Sequence, residues 1–551
     1  MDLACDVVVV GGGIAGVMAA WRAASAGARV ALACAGSLFS GSSFFPGTWG
    51  LGLVGPESPE DEEDLVQTIL NVGCGTADPE LVRSFVTGIT PAVETLEQLG
   101  VTLKRPANAG EREFIPCFDH KHRAWRGLRR EAFEVAMGTR LREAGVRVLA
   151  RHELVELVSD GGTICGALLF DHTTDEPRRI PCAAVVLATG GYGSLFERRL
   201  TPADALGCAQ AVALRHGARL TNLEFMQIMP GLVSPVQNVV FNEKTFRMAR
   251  LQTPDGRDSF PRDNDGSAHP LLALRSPYGP FTSRLVSRDV DLAIARCGDE
   301  GMRVAYPEAA RAWGDAAAWQ RLPEFVRTFF DWMVERGVTP ADELRIAPYA
   351  HAANGGIAID AHGWTGVPGL FACGECTGGM HGADRIGGLS SANGLVFGLR
   401  AGEAAARHAV SDNRRVPDWN SLEFASPISP QRASRAMATM RHVMSESCLV
   451  ERDGERLARA ALELEELEHA LLATSTCEHD AADAPNGIGS SIAAQRLGNQ
   501  LLLARCMVDS ALARPESRGS HYRSDHPAED AAFAHASIVT LEGTTPRVSI
   551  A

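Results

Sequence analysis

The sequence predicts an α/β fold with a helical C-terminal part, and three observations predict it. An apolar, β-branched run from Val7 to Val10 enters a glycine turn, a helical pattern follows through Met18, Trp21 and Ala24, and Arg29 to Cys34 reads as a second strand. A run apolar on both faces suits a strand buried in a parallel sheet. Two more apolar strands end in glycine turns, at Ala184 to Gly193 and Gly369 to Gly374. From about residue 416 the pattern turns helical, with Leu457, Ala461, Leu464, Leu467 and Leu471 at three- and four-residue spacing and a second amphipathic run from Ile492 to Leu512.

Composition narrows the classes. A chain of 551 residues can build two or three domains with cores of their own. Apolar residues at 45% and charged residues at 22% mark a folded globular chain rather than a disordered one. The formal charge of −14, from 53 basic and 67 acidic residues, argues against nucleic acid or an anionic membrane surface as partner. Thirteen scattered cysteines suit a reducing compartment better than a disulfide framework. The apolar stretch from Val7 to Ala20 has no basic region before it and contains four glycines, so it does not read as a signal peptide. No other segment offers the roughly 18 apolar residues of a spanning helix. A cytoplasmic protein without direct membrane insertion is expected.

In the first block Gly11-Gly12-Gly13-Ile14-Ala15-Gly16 gives G-x-G-x-x-G. Gly11 permits the tight turn, Gly13 lets backbone approach a pyrophosphate, and Gly16 lets helix pack closely on strand. The helix N-terminus, at Ile14 and Ala15, aims free N–H groups and its positive dipole end at that phosphate. With a strand before and a helix after, the motif predicts a Rossmann-like dinucleotide-binding domain. Cys34 stands where an acidic residue would hold ribose hydroxyls.

One nicotinamide site needs one such turn, and this chain has three glycine blocks. Together they resemble those of the FAD-dependent fumarate reductase, succinate dehydrogenase and L-aspartate oxidase flavoproteins. The resemblance implies a Rossmann-like FAD-binding domain (1–232 and 346–415), interrupted by an α+β capping domain (233–345) and followed by a C-terminal helical domain (416–551). It implies FAD contacts at Gly11, Gly13, Ile14, Ala15 and Gly16, along the loop Ser40-Gly41-Ser42-Ser43, and at Ala188, Thr189 and Gly190. Asp204 falls where the family has Gly-Asp-Gly, and Glu375 matches a carboxylate that accepts a ribose diol; Ser390 and Ser391 complete the set. No histidine precedes His120, so the flavin is expected to be non-covalent, unlike the histidyl-linked flavin of succinate dehydrogenases.

Three further segments carry the implied chemistry. His351-Ala352-Ala353-Asn354-Gly355-Gly356 resembles the family's H-x-x-x-G-G, His381-Gly382-Ala383-Asp384-Arg385-Ile386-Gly387-Gly388 its H-G-A-N-R-L-G-G, and Ser287-Arg288-Asp289-Val290 its S-R-D-V. By resemblance His351 and Arg385 anchor a substrate carboxylate and Arg288 handles the proton. A planar guanidinium fork suits a carboxylate, and a proton must be moved on the face opposite the hydride.

Departures bear on the substrate. The family's F-H-P-T, whose histidine binds a second carboxylate, is here Ile228-Met229-Pro230-Gly231. Its Thr-Glu pair is Asn242-Glu243, making Glu243 the candidate relay acid, but the arginine expected three residues later is Phe246, with Arg247 beyond it.

Cys373-x-x-Cys376 lacks a second cysteine pair and reads as packing. His120-x-His122-Arg123 has metal-ligand spacing on an expected strand without a third ligand, so no metal site is expected; the block resembles the aspartate oxidase H-S-H-R-R near flavin and substrate. The run from Glu516 to Pro527 resembles the family's E-S-R-G-x-H-Y-R-x-D-x-P and is expected to be structural or interfacial.

These features favour hydride transfer between FAD and a small carboxylate, most nearly as in L-aspartate oxidase. The alternatives are a flavoprotein of the fumarate reductase or succinate dehydrogenase type that relays electrons to a partner protein, supported by Arg385-Ile386-Gly387-Gly388, and a related enzyme with another carboxylate substrate.

Overall fold

The computed structural model describes residues 5–48, 51–106, 118–119, 121–262, 267–411, 415–473 and 488–550. Its central sheet is parallel, with the strands Leu370–Ala372, Ala184–Leu187, Val7–Val10, Val30–Cys34 and Arg147–Ala150 in that order. All three glycine-turn strands therefore lie side by side, and their turns open at one edge. Val7, Val8 and Val9 are wholly buried, as a strand covered on both faces must be. One face is covered by the helices Ile14–Ser25 and Leu389–Ser411. They approach so closely that a Cβ on Gly402 would stand 2.3 Å from the Ala19 carbonyl oxygen. An antiparallel meander, His152–Asp160, Thr163–Asp171 and Glu176–Pro181, packs beside the sheet.

The chain leaves this unit along the strand Met226–Ser234 and returns along Leu344–Ala353, its antiparallel neighbour. Both belong to a five-stranded sheet with Val239–Val240, Met302–Ala305 and Arg250–Gln252. The segment between them has a core of its own around Phe241, Phe246, Val304, Phe329 and Phe330.

Three long helices follow, Pro430–Cys448, Gly454–Ala473 and Ile488–Ala513. Their apolar faces join the core beneath the parallel sheet, with Leu457, Leu501 and Met507 in one cluster with Val185 and Leu187. The chain then does something that helical spacing did not foretell. Ser537–Glu542 and Thr545–Ile550 form a hairpin, turning at Gly543 with φ +64°, and the first strand pairs with Leu220–Thr221. Short β-branched alternation around a glycine is the local signal for such a hairpin. Among the described residues no helix is long and apolar enough to cross a membrane.

Candidate active site

The edge where the glycine turns open is the floor of a cavity of about 360 Å³, within the size of small-molecule sites. Gly11 N–H donates to the Ala33 carbonyl (2.8 Å) and closes the first turn. Gly11 and Gly16 are demanded by the protein itself: a Cβ at Gly11 would lie 2.1 Å from the Ala188 oxygen, and one at Gly16 would lie 1.9 Å from the Gly11 oxygen. Gly13 is different, because an added Cβ would meet only Ser40 O at 3.5 Å and Ser43 Oγ at 3.6 Å. The helix that starts at Ile14 has no side-chain cap and no acid in its first turn, so its free N–H groups are available to an anion. Gly41 and Gly190 have positive φ (87° and 76°), with no atom closer than 4.0 Å to a built Cβ. The buried Thr189 hydroxyl on the wall has no protein partner. Space at glycines, an open helix end and an orphaned hydroxyl together fit a bound dinucleotide.

The acidic residue missing at Cys34 is supplied from elsewhere. A Cβ built on Gly36 would be 3.3 Å from Asp204 Oδ2, which brings that carboxylate to the end of the second strand. Burial raises the Asp204 pKa, Glu153 adding to it, and pushes the Cys34 thiol up to about 12. Glu153 also lines the cavity and is held by Arg496 and by His172 (2.9 Å). Glu375 accepts from Ala353 N–H (3.1 Å); burial raises its pKa against that bond and the nearby Arg385 charge.

At the other side of the cavity Arg385 and His351 meet. Arg385 Nε donates to Gln227 Oε1 (2.9 Å), and Gln227 Nε2 returns a bond to the Arg385 carbonyl (3.0 Å), so the guanidinium is fixed by a reciprocal pair. His351 owes its position to a bulge. Ile228 pairs with Ala350 and Gln227 with Ala352, leaving His351 as the extra residue, and bulges commonly re-aim a side chain in this way. Burial, reinforced by Arg385, lowers the His351 pKa to about 3, and Nδ1 has no partner. His351 is therefore a neutral hydrogen-bonding group at neutral pH. His381 is buried outside the cavity lining, edge-on to Phe85, and is shifted down to about 3 for the same reasons.

Of the residues expected from sequence, Gly11, Gly13, Ile14, Ala15, Ser40, Gly41, Ser42, Ser43, Ala188, Thr189, Gly190, Asp204, His351, Glu375, Arg385, Ser390 and Ser391 line this one cavity. Gly16 lies behind the turn. Arg288 and Glu243 are not in the lining. Arg288 begins the helix Arg288–Ala295, donates to the Ser283 carbonyl (2.6 Å) and lies 5.4 Å from the Tyr522 ring centre. Glu243 begins the 3₁₀ turn Glu243–Met248; burial raises its pKa, and the Arg275 charge partly opposes that rise. Arg247 stacks 4.2 Å from the Phe325 ring centre. Gln227, Glu153 and His152 also reach the cavity, and no sequence motif marked them. The spacing of Gln227 to Met229 on one strand face was the available signal for Gln227.

His120 lies outside the described residues, and the expected strand begins only at Ala124. Arg123 is wholly buried in ion pairs with Asp119 (2.8 Å), Asp64 (2.8 Å) and Asp61. Among the described residues no three His, Cys, Asp or Glu side chains cluster as metal ligands. Cys373 and Cys376 are free and buried, and the Cys376 thiol donates to Leu187 O (3.2 Å).

Comparison with known proteins agrees with this geometry. Residues 6–391 match the FAD binding domain family, and residues 437–551 match the fumarate reductase flavoprotein C-terminal family. An L-aspartate oxidase of Streptomyces coelicolor is 32% identical, over 96% of this chain and 90% of its own. A fumarate reductase (CoM/CoB) subunit from Methanothermobacter marburgensis is 27% identical, over 95% and 94%. The solved quinol fumarate reductase of E. coli shares the fold with a TM-score of 0.79 at 23% identity, over 100% of this chain and 97% of that one. The chain therefore belongs to the FAD-dependent oxidoreductase family that includes the L-aspartate oxidases and fumarate reductase flavoproteins.

Proposed function

We propose that this oxidoreductase oxidises or reduces a small carboxylate by the L-aspartate oxidase type of reaction, with Arg385 and His351 as its carboxylate anchor. The observation that carries the reading is the Gln227-locked guanidinium of Arg385 beside His351, in the same cavity as the dinucleotide turn. Arg385 is the only arginine or lysine among the described lining residues. A guanidinium with its orientation fixed offers a carboxylate paired, charge-assisted hydrogen bonds. His351, neutral and unpaired at Nδ1, adds a hydrogen bond without adding charge.

When bound, FAD supplies the hydride acceptor or donor. Gly11, Gly13 and the N–H groups at Ile14 and Ala15 would hold its pyrophosphate, Asp204 and Glu375 its hydroxyls, and Ser40 to Ser43 its flank, without a covalent link. Arg288 is the proposed proton-handling residue, delivered from the segment whose Pro280 already lines the cavity. No observation favours a role for Glu243. The relative named as one subunit of a fumarate reductase supports a second reading, in which electrons pass on to a partner protein.

The test is Arg385→Gln in the FAD-loaded protein. Loss of the charged fork is expected to weaken carboxylate binding about 10- to 100-fold, with flavin content unchanged. Unaltered binding of every carboxylate that bleaches the wild-type flavin removes Arg385 as the anchor.

A further inference from the structure

Resting on the carboxylate reading above, we propose that the substrate carries one carboxylate and an uncharged, apolar second arm, and is not a dicarboxylate. The wall beside the Arg385 anchor is the evidence. The strand Met226–Ser234 turns Gln227 and Met229, two residues apart, to the same cavity. Gln227 fixes Arg385. Met229 stands where the resembled F-H-P-T pattern has a histidine, and it packs in one apolar cluster with Leu200 and Val240, which also line the cavity, and with Ala347 and Tyr349.

The pattern's threonine is missing for a steric reason. A Cβ on Gly231 would stand 2.6 Å from the Tyr349 ring, so that ring and a threonine exclude each other. The Tyr349 hydroxyl is itself engaged, donating to the Leu232 carbonyl (2.7 Å). The histidine of the pattern is thus replaced on the cavity wall by an apolar side chain, and the charged groups besides Arg385 in the described lining, Glu153, Asp204 and Glu375, are acids. A second carboxylate against Met229, Leu200 and Val240 would give up water and gain neither cation nor donor from those three side chains. A methyl or methylene group there would be removed from water at no polar cost.

Three pairs that differ by a methyl group in place of one carboxylate test this on the FAD-loaded full chain: fumarate against crotonate, succinate against butanoate, and L-aspartate against L-2-aminobutyrate. Binding is read anaerobically from the perturbation or bleaching of flavin absorbance. The monocarboxylate of each pair is expected to bind about tenfold or more tightly. Met229→His restores a ring N–H donor to that wall and is expected to reverse the order. Equal or tighter binding of the dicarboxylates by the wild type overturns the inference, whatever the variant does. Failure of the carboxylate reading looks different: no member of any pair binds, or Arg385→Gln leaves the affinity of both members unchanged.

Discussion

Asp384 shows burial and charge pulling a single residue in opposite directions. The family-like loop H-G-A-N-R has asparagine there. In this chain the carboxyl is wholly buried, Oδ2 accepts from Thr282 Oγ1 (2.8 Å) and faces Arg284 Nη1 at 3.8 Å, and Oδ1 has no partner. Burial raises its pKa to about 7, Glu529 adds to the rise, and Thr282 and Arg284 hold it partly down. The folded pKa thus lies above the unfolded value of about 3.9. The stability tied to the protonated carboxyl is complete below that value and is lost as pH rises through about 7. His351 and His381, with folded pKa values lowered to about 3, act in the opposite sense, losing stability as pH falls below about 6.5. Asp384→Asn isolates the first effect, because both histidines remain in variant and wild type. The variant is expected to gain on the wild type by on the order of 3 kcal/mol between about pH 4 and pH 7. Urea unfolding of both proteins across that range measures the gap; a flat gap means that burial does not govern Asp384.

The glycine turn makes a prediction at the scale of one element, because its three glycines are glycines for different reasons. Gly16→Ala drives a methyl to 1.9 Å from the Gly11 oxygen, an overpacking cost of roughly 1–3 kcal/mol that the flavin-free protein should already show. Gly13→Ala meets only ordinary contacts at a φ of −80°, so the flavin-free protein should keep its stability while flavin binding weakens. Denaturant unfolding without flavin, beside a flavin titration, separates them; equal destabilisation by both would mean that Gly13 is also a packing residue. This turn was legible in the sequence because its chemistry is local: strand, glycines and helix follow one another within a few residues. Arg385 and His351 were legible as pattern, and the bulge and the Gln227 clamp that aim them were not, since both depend on a neighbouring strand. Asp204 was legible as pattern too, but its approach to the end of the Cys34 strand was hidden, because the chain brings the two together only by folding. Arg288 illustrates the opposite limit, a motif matched in sequence whose side chain stands outside the described cavity lining, on the Ser283 carbonyl and the Tyr522 ring, with Nε unpartnered.

At the scale of the molecule, the C-terminal part is tied into the flavin part by buried charge as well as by apolar packing. Arg514, wholly buried, donates to Glu224 (2.7 Å), to Glu516 (3.0 Å) and to the carbonyls of Phe533 (2.5 Å) and His535 (2.8 Å). Glu224 also accepts from Ser537 Oγ (2.6 Å), at the start of the terminal hairpin. Glu224 and the stretch from Phe533 to Ser537 are thus drawn together around the Arg514 guanidinium, just before the strand that carries Gln227 and Met229. This gives the family-like run from Glu516 a structural reason, since Glu516 bridges Arg514 and Arg518 (2.7 Å). Removing one partner of such a network leaves buried charge uncompensated, a cost of about 3–5 kcal/mol. Arg514→Met is expected to lower the thermal midpoint of backbone unfolding, read by far-UV circular dichroism, and that of flavin release, read by flavin fluorescence, together. A flavin-release midpoint that stays put while circular dichroism shows an earlier, separate transition would make the C-terminal part an independent unit. Adding Glu224→Gln to Arg514→Met should recover part of the loss, because the Glu224 carboxylate left without its arginine, more than the missing attraction, carries the cost; Glu516 keeps Arg518.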